Sequence, residues 1–416
     1  MKRIDRRLVG VLAAGVCLPA TADMLNDSSA TLLSRNYYFD RDFANGTGPS
    51  EAREWAQGFI LRMNSGYTQG PVGFGFDVLA MGGIKLDSSA GRSGTGLLPF
   101  DPVTGEPADE YSKLGVAAKL RYSSTDLQVG TFQPLLPVIL AITTTRLFPP
   151  TFRGGYLRSQ EIPGLTLHAG NVDRIILCNS TDEERMGVSS LNGRFNPSGV
   201  SDSFSFAGAD YAFNDHLTGT YYYAELDNLY RQQYVALLHT MPLGEGKLKS
   251  DIRFFDSTGD GASKAGTVDN RTLSTMFTYK WRAHSIGLGY MQLNGSSAMP
   301  YIAGTDVNVN SEGAQAADFV NPKERSTQLR YDVDFTSYGV PGLGATLRYL
   351  RGRDIELANN PAASKENERD VELNYLVQSG TFKGLNVRLR QATYNNDFSR
   401  DFTETRFYLD YPLKLW

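Results

Sequence analysis

The chain has 416 residues, with 41 Lys and Arg against 45 Asp and Glu, for a formal net charge of −4 at pH 7. Of its two cysteines, Cys17 lies within the leading 22 residues, leaving Cys178 without an internal partner in a mature chain, so a chain of this length is expected to hold together through a large core or a closed sheet. With 42 Gly, 22 Tyr, 22 Phe and a mean hydropathy of −0.31 it is aromatic-rich yet hydrophilic, as lipid-facing bands around a wet interior require. A large soluble β protein would share that composition.

Residues 1–22 read as an export signal. Lys2, Arg3, Arg6 and Arg7 precede an apolar run from Leu8 to Leu18, and Ala20-Thr21-Ala22 supplies small residues for cleavage. The run falls short of the roughly 20 apolar residues a spanning helix needs. Val16 stands before Cys17 where a lipid-attachment signal wants a small residue, so no lipid anchor is expected. Residues 23–416 are expected to form a single transmembrane β-barrel domain, since no later stretch is long and apolar enough for a membrane helix.

From about residue 55 onward the dominant period is two. Val72, Phe74, Phe76 and Val78 alternate with Gly73, Gly75 and Asp77, and Leu114, Val116, Ala118, Leu120 and Tyr122 alternate with Gly115, Ala117, Lys119 and Arg121. Leu248, Ile252 and Phe254 oppose Lys249, Asp251 and Arg253; Ile286, Leu288 and Tyr290 oppose Gly287, Gly289 and Met291. Leu329, Tyr331, Val333 and Phe335 oppose Arg330, Asp332 and Asp334, and Phe407, Leu409 and Tyr411 oppose Arg406, Tyr408 and Asp410. One apolar and one polar face per strand is what oil on one side and water on the other select.

Tight breaks at Pro163-Gly164, Asn214-Asp215, Gly244-Glu245-Gly246, Pro341-Gly342 and Lys383-Gly384 alternate with long polar stretches. The latter run over Asp87–Glu110, Thr181–Ser201, Asp256–Asn270, Asn294–Arg325 and Asp354–Asp370, and read as external loops. At about 20 residues per strand and connection, the mature chain makes an all-β, up-and-down antiparallel barrel of about 18 strands, wider than its side chains can fill. Tyr221-Tyr222-Tyr223 and Phe407-Tyr408 read as interfacial aromatic girdles, and an alternating strand closes on Trp416.

The arginines carry the chemistry. Arg121, Arg253, Arg330, Arg348, Arg388, Arg390 and Arg406 all lie opposite the apolar face of their own strand. Facing lipid near the midplane would cost about 2–4 kcal/mol each, so they are expected in the lumen. A permanently charged, forked guanidinium matches a carboxylate, and several along one wall would pass anions from site to site. Acidic neighbours such as Asp251, Asp332, Asp334 and Asp410 offer a space-filling alternative, although the C-terminal group has few acids on its own face.

The chain resembles the OprD family of substrate-specific outer-membrane channels of Gram-negative bacteria. The likeness begins at Leu33-Ser34-Arg35-Asn36-Tyr37-Tyr38-Phe39-Asp40-Arg41 and Glu54-Trp55-Ala56-Gln57-Gly58. It continues through Thr131–Gly154, which is similar to the family's constriction loop, and Arg330-Tyr331-Asp332-Val333-Asp334-Phe335. Arg388-Leu389-Arg390 and Thr403–Leu413 complete it. The resemblance implies a bacterial outer-membrane barrel, monomeric or loosely trimeric, narrowed by an inward-folded loop. It also implies a basic ladder of Arg35, Arg41, Arg330, Arg388, Arg390 and Arg406 leading small anionic, carboxylate-bearing solutes through an eyelet. Arg146, Arg153 and Thr144 fall in the constriction region, and Arg121, Arg253, Arg348 and Asp332 are further lumenal candidates. Because Pro137–Thr145 is apolar and neutral where the family's eyelet calls for an acid, substrates without a strong positive charge are favoured, such as aromatic or cyclic acids.

Besides these solutes, outer-membrane lipids and lipopolysaccharide are the expected partners; no nucleic acid, cofactor or metal is. Asp256-Ser257-Thr258-Gly259-Asp260 lacks a full calcium-loop pattern. Two rivals stand beside the channel. A barrel hydrolase would need a catalytic set that His168, His216, His239 and His284 do not declare by motif, though spacing alone does not exclude one. A plugged structural or adhesive barrel would need bulky apolar inward residues.

Overall fold

The computed structural model describes residues 24, 26–142, 145–309, 314–358 and 360–416; residues 1–22, read as an export signal, and Thr144 lie outside the described residues. The first six barrel strands are β1 (Ser29–Phe43), β2 (Glu51–Asn64), β3 (Val72–Asp87), β4 (Glu110–Tyr122), β5 (Thr125–Phe132) and β6 (Thr151–Ser159). Then come β7 (Leu165–Ile176), β8 (Phe204–Asn214), β9 (Leu217–Leu226), β10 (Tyr230–Leu243), β11 (Gly246–Gly259) and β12 (Asp269–Trp281). The last six are β13 (His284–Gly295), β14 (Arg325–Asp334), β15 (Leu343–Leu357), β16 (Asn360–Leu376), β17 (Asn386–Asn396) and β18 (Phe402–Lys414).

These 18 strands form one antiparallel sheet in which each pairs with its neighbours in sequence, and β18 returns to pair with β1, closing the barrel. Closure gives every strand two partners, the condition for placing a sheet in hydrocarbon. The alternation explains which side faces where. On β4, Leu114 and Val116 are exposed on the outside, while Lys113, Gly115 and Ala117 point inward. Turns of two residues, 123–124, 215–216, 244–245 and 282–283, join the strands at one end. At the other end lie the long connections 88–109, 133–150, 177–203 and 296–324.

Three of these long connections enter the barrel. Segment 133–150 makes a small hairpin, Leu135–Leu136 against Ile139–Leu140, and Leu140 bridges to Asp306 of segment 296–324. Val188 of segment 177–203 bridges to Ile302. Their apolar residues Leu136, Ile139, Val188, Ile302 and Val309 share a buried cluster with the inward wall residues Phe206, Tyr222, Tyr234 and Phe255. On the other side, Leu147 and Phe148 pack with Tyr37, Ile60, Met81 and Tyr111. Gly58 makes that approach possible, because a Cβ there would stand 2.9 Å from Leu147 Cδ1 and 3.1 Å from Phe148 Cε1.

Three expectations are corrected. The stretches Thr181–Ser201 and Asn294–Arg325, read as external loops, correspond to segments 177–203 and 296–324, which fold partly into the lumen. Asp354–Asp370, also read as a loop, is mostly strand, belonging to β15 and β16. It looks loop-like because both faces are polar: Glu366, Glu368 and Asp370 point inward, and Lys365, Asn367 and Arg369 face out beyond the apolar band. Finally, Tyr222 and Tyr408 point into the barrel rather than into a girdle; Tyr408 Oη lies 2.7 Å from Tyr37 Oη.

Candidate functional site

Between the inward loops and the β1, β17 and β18 wall lies a cavity of about 520 Å³. Strand alternation delivers Arg41, Arg390 and Arg406 to its wall, and segment 133–150 adds Arg146. Ser189, Tyr301, Asp306 and the chain around 314–318 form other parts of the lining.

Each strand-borne arginine is held by a carboxylate. Arg406 Nη2 stands 2.6 Å from Glu404 Oε1 and donates to the Gln315 carbonyl at 2.7 Å, with its guanidinium over the Phe39 ring. Arg41 Nε donates to Glu404 Oε2 at 2.8 Å, and its guanidinium sits over the Phe402 ring. Arg390 Nε lies 3.1 Å from Glu372, which also approaches Arg388 Nε at 3.4 Å. Arg146 donates to the carbonyl of Thr145 at 2.7 Å and has no carboxylate within ion-pairing distance among the described residues. Arg406 Nη1 is buried without an acceptor among them.

The loops opposite are fixed by buried polar contacts. Glu368 accepts the backbone N–H groups of Gln315, Ala316 and Ala317, at 2.6, 2.9 and 2.9 Å. Arg194, in segment 177–203, makes a two-pronged pair with Asp318 at 2.6 and 2.7 Å, and Tyr301 donates to the same carboxylate. Burial alone would push the Asp318 carboxyl up, but the Arg194 guanidinium outweighs it and holds that carboxyl below its usual range. Burial, and then the Asp318 charge, raise the Tyr301 phenol.

Of the other sequence candidates, Arg35 is buried beside this cluster. It grips Asp410 with two hydrogen bonds of 2.8 and 2.9 Å and donates to the carbonyl of Arg146. Arg330 pairs with Asp332 on its own strand, Arg348 with Asp370 and Arg253 with Asp251, all inside the barrel. Arg121 pairs with Asp126 at the short-turn end. Arg153 lies on β6, directly after segment 133–150; Phe152 is buried inward, so Arg153 faces out of the wall, paired with Asp173 and Glu183. The expected shortage of acids near the C-terminal arginines also fails, because Glu372 comes from neighbouring β16 and Glu404 from two residues earlier on β18. Segment 296–324 also lines the cavity, which its polar sequence hides. Its signal was the apolar set Ile302, Val307, Val309, Phe319 and Val320 inside a polar stretch.

A family model described as "outer membrane porin, OprD family" matches residues 22–415. The chain belongs to the OprD family. It is therefore a substrate-specific porin channel of the bacterial outer membrane, and at the level of the family a channel rather than an enzyme. The chain is 35% identical over 409 residues to porin-like protein GalP of Pseudomonas putida, covering 97% of this chain and 96% of that one. Among solved OprD-type structures, OccK9 (OpdG) of Pseudomonas aeruginosa superposes with a TM-score of 0.90 at 40% identity, covering 94% of this chain and all of that one. OpdK of the same organism, solved with vanillate, gives 0.88 at 39% identity, again covering 94% of this chain and 100% of that one.

Proposed function

We propose that this porin conducts small carboxylate-bearing solutes, aromatic or cyclic acids above others, through an eyelet framed by segments 133–150, 177–203 and 296–324. Arg41, Arg146, Arg390 and Arg406 receive the carboxylate in the cavity, and Arg35, Arg388 and Arg330 continue the basic path along the wall.

The observation carrying this reading is the gathering of four guanidiniums on one 520 Å³ cavity, with Arg146 lacking a carboxylate among the described residues and Arg406 Nη1 lacking an acceptor. Fixed donors of this kind replace part of an anion's hydration shell while leaving it weakly enough held to move on. Glu404 and Glu372 keep the arginines in place and lower the net positive charge, which suits passage better than capture. The apolar side chains of Ile142 and Phe148 on the same cavity fit the ring of an aromatic acid. Support also comes from OpdK, since vanillate is an aromatic carboxylate.

Benzoate uptake into cells whose sole OprD-type porin is this chain tests the reading. Arg388→Ala and Arg390→Ala are expected to slow it several-fold at unchanged porin abundance. Unchanged uptake in both variants would mean that the arginine path does not carry the solute.

A further inference from the structure

Outside the lumen, the outward faces of β14, β15 and β16 change character within one strand step. Going outward along β15, Leu347 and Tyr349 are followed by Arg351 and Arg353; on β16, Leu373 and Val371 are followed by Arg369, Asn367 and Lys365. The apolar residues mark the hydrocarbon band and Tyr349 its aromatic edge, with the Arg369 guanidinium 5.9 Å from the Tyr349 ring centroid. The arginines therefore stand at headgroup level on the side of the long loops, against the outer leaflet.

The register concentrates them. Arg325 lies directly opposite Arg353, and Arg369 directly opposite Tyr349, one outward step from Arg351. Like charges placed directly across a sheet repel. A bulge between Gly352 and Ile355, with Asp354 at φ 62°, turns one carboxylate toward the pair, at 3.6 Å from Arg325 and 3.9 Å from Arg353. Arg351 and Arg369 have no carboxylate within ion-pairing distance among the described residues. Elsewhere on the same rim the exposed arginines are matched: Arg231 with Asp260, Arg271 with Asp256.

We propose that Arg325, Arg351, Arg353 and Arg369 form a binding site for the phosphate groups of an outer-leaflet lipopolysaccharide, whose acyl chains lie along Leu347, Val371 and Leu373. A phosphate among four guanidiniums removes their mutual repulsion and accepts several charge-assisted hydrogen bonds. The apolar wall beneath favours a lipid-anchored phosphate over a free one, because basic residues at a membrane edge and acyl contact below it act together.

The test titrates delipidated, detergent-solubilised full-length protein with bisphosphorylated lipopolysaccharide, followed by native mass spectrometry. The double variant R351Q/R369Q is expected to bind roughly tenfold more weakly, and R351K/R369K to keep most of the affinity. R231Q/R271Q should match wild type, as should the single-channel conductance of R351Q/R369Q, whose altered side chains lie outside the pore. Removing the phosphates from the glycolipid should weaken wild-type binding to the level of R351Q/R369Q. Equal binding by wild type and R351Q/R369Q would overturn the site. Displacement of the lipid by an equimolar amount of inorganic phosphate would overturn its assignment to a lipid.

Discussion

Glu404 stands two residues before Arg406 on β18, 2.6 Å from it, and also accepts from Arg41 of β1 at 2.8 Å. One carboxylate thus serves two guanidiniums across the seam where the barrel closes. The arrangement fixes both arginines without cancelling both charges, and a net positive wall is left facing the cavity. Removing Glu404 would strand two charges, one of them fully buried. Glu404→Gln is therefore expected to cost about 3–5 kcal/mol and to lower the yield of folded barrel, read by heat-modifiable mobility in detergent gels.

Arg390 can be neutralised at less expense, because Glu372 keeps Arg388 as a neighbour. Arg390→Gln is expected to leave folding intact and to reduce the anion-over-cation preference of the pore. Reversal potentials in a salt gradient check this, moving toward zero or toward cation preference in the variant.

Cys178 lines the same cavity and is the sole cysteine among the described residues. A bulky thiol reagent added to the open channel is expected to lower its current stepwise, and Cys178→Ser to abolish the effect. Unaltered current after complete labelling, measured by mass, would place the cavity off the conduction path.

Acid should loosen the lumen before it unfolds the barrel. The Asp318 carboxyl is held below its ordinary value of 3.8 in the folded protein, so the stability it contributes is full above that value. That contribution is lost as pH falls from there through the lowered folded value. Current noise is expected to rise over that window as segments 177–203 and 296–324 part, while strand content by circular dichroism stays constant. Asp318→Asn should show the same noise already at pH 7.

Gly58 is where the wall makes room for the loop. Gly58→Val places its side chain against Leu147 and Phe148 and is expected to cost about 1–3 kcal/mol, with a wider and noisier pore. Thermal unfolding in detergent and single-channel recording check the two halves separately.

How far the sequence could be read depended on how local the signal was. Alternation on β4, β11, β13 and β14 is a property of neighbouring residues, so strand faces followed directly, as did the inward placement of Arg330, Arg388, Arg390 and Arg406; strand number followed from chain length. Pairing partners are not local: Glu372 reaches Arg390 from β16, and Glu404 reaches Arg41 across the closing seam. The inward course of 296–324 was hidden for the same reason, since its anchor is Glu368 on β16, a residue that itself lay within a stretch read as loop. The direction of Arg153 was not legible either, because the resemblance places it beside the constriction loop without saying which face of β6 carries it.

If guanidiniums lining the cavity select carboxylates, benzoate and arginine must act differently on the open pore. Single-channel current in a planar bilayer, with benzoate or arginine added at equal concentration, tests it most directly when wild type is compared with a variant carrying Arg146→Gln and Arg390→Gln. The expected result is a small wild-type conductance reduced by benzoate and unaffected by arginine, and a roughly tenfold weaker benzoate effect in the variant, about one charge-assisted contact's worth. Equal reduction by benzoate in both proteins, or a wild-type current reduced by arginine instead, would contradict it.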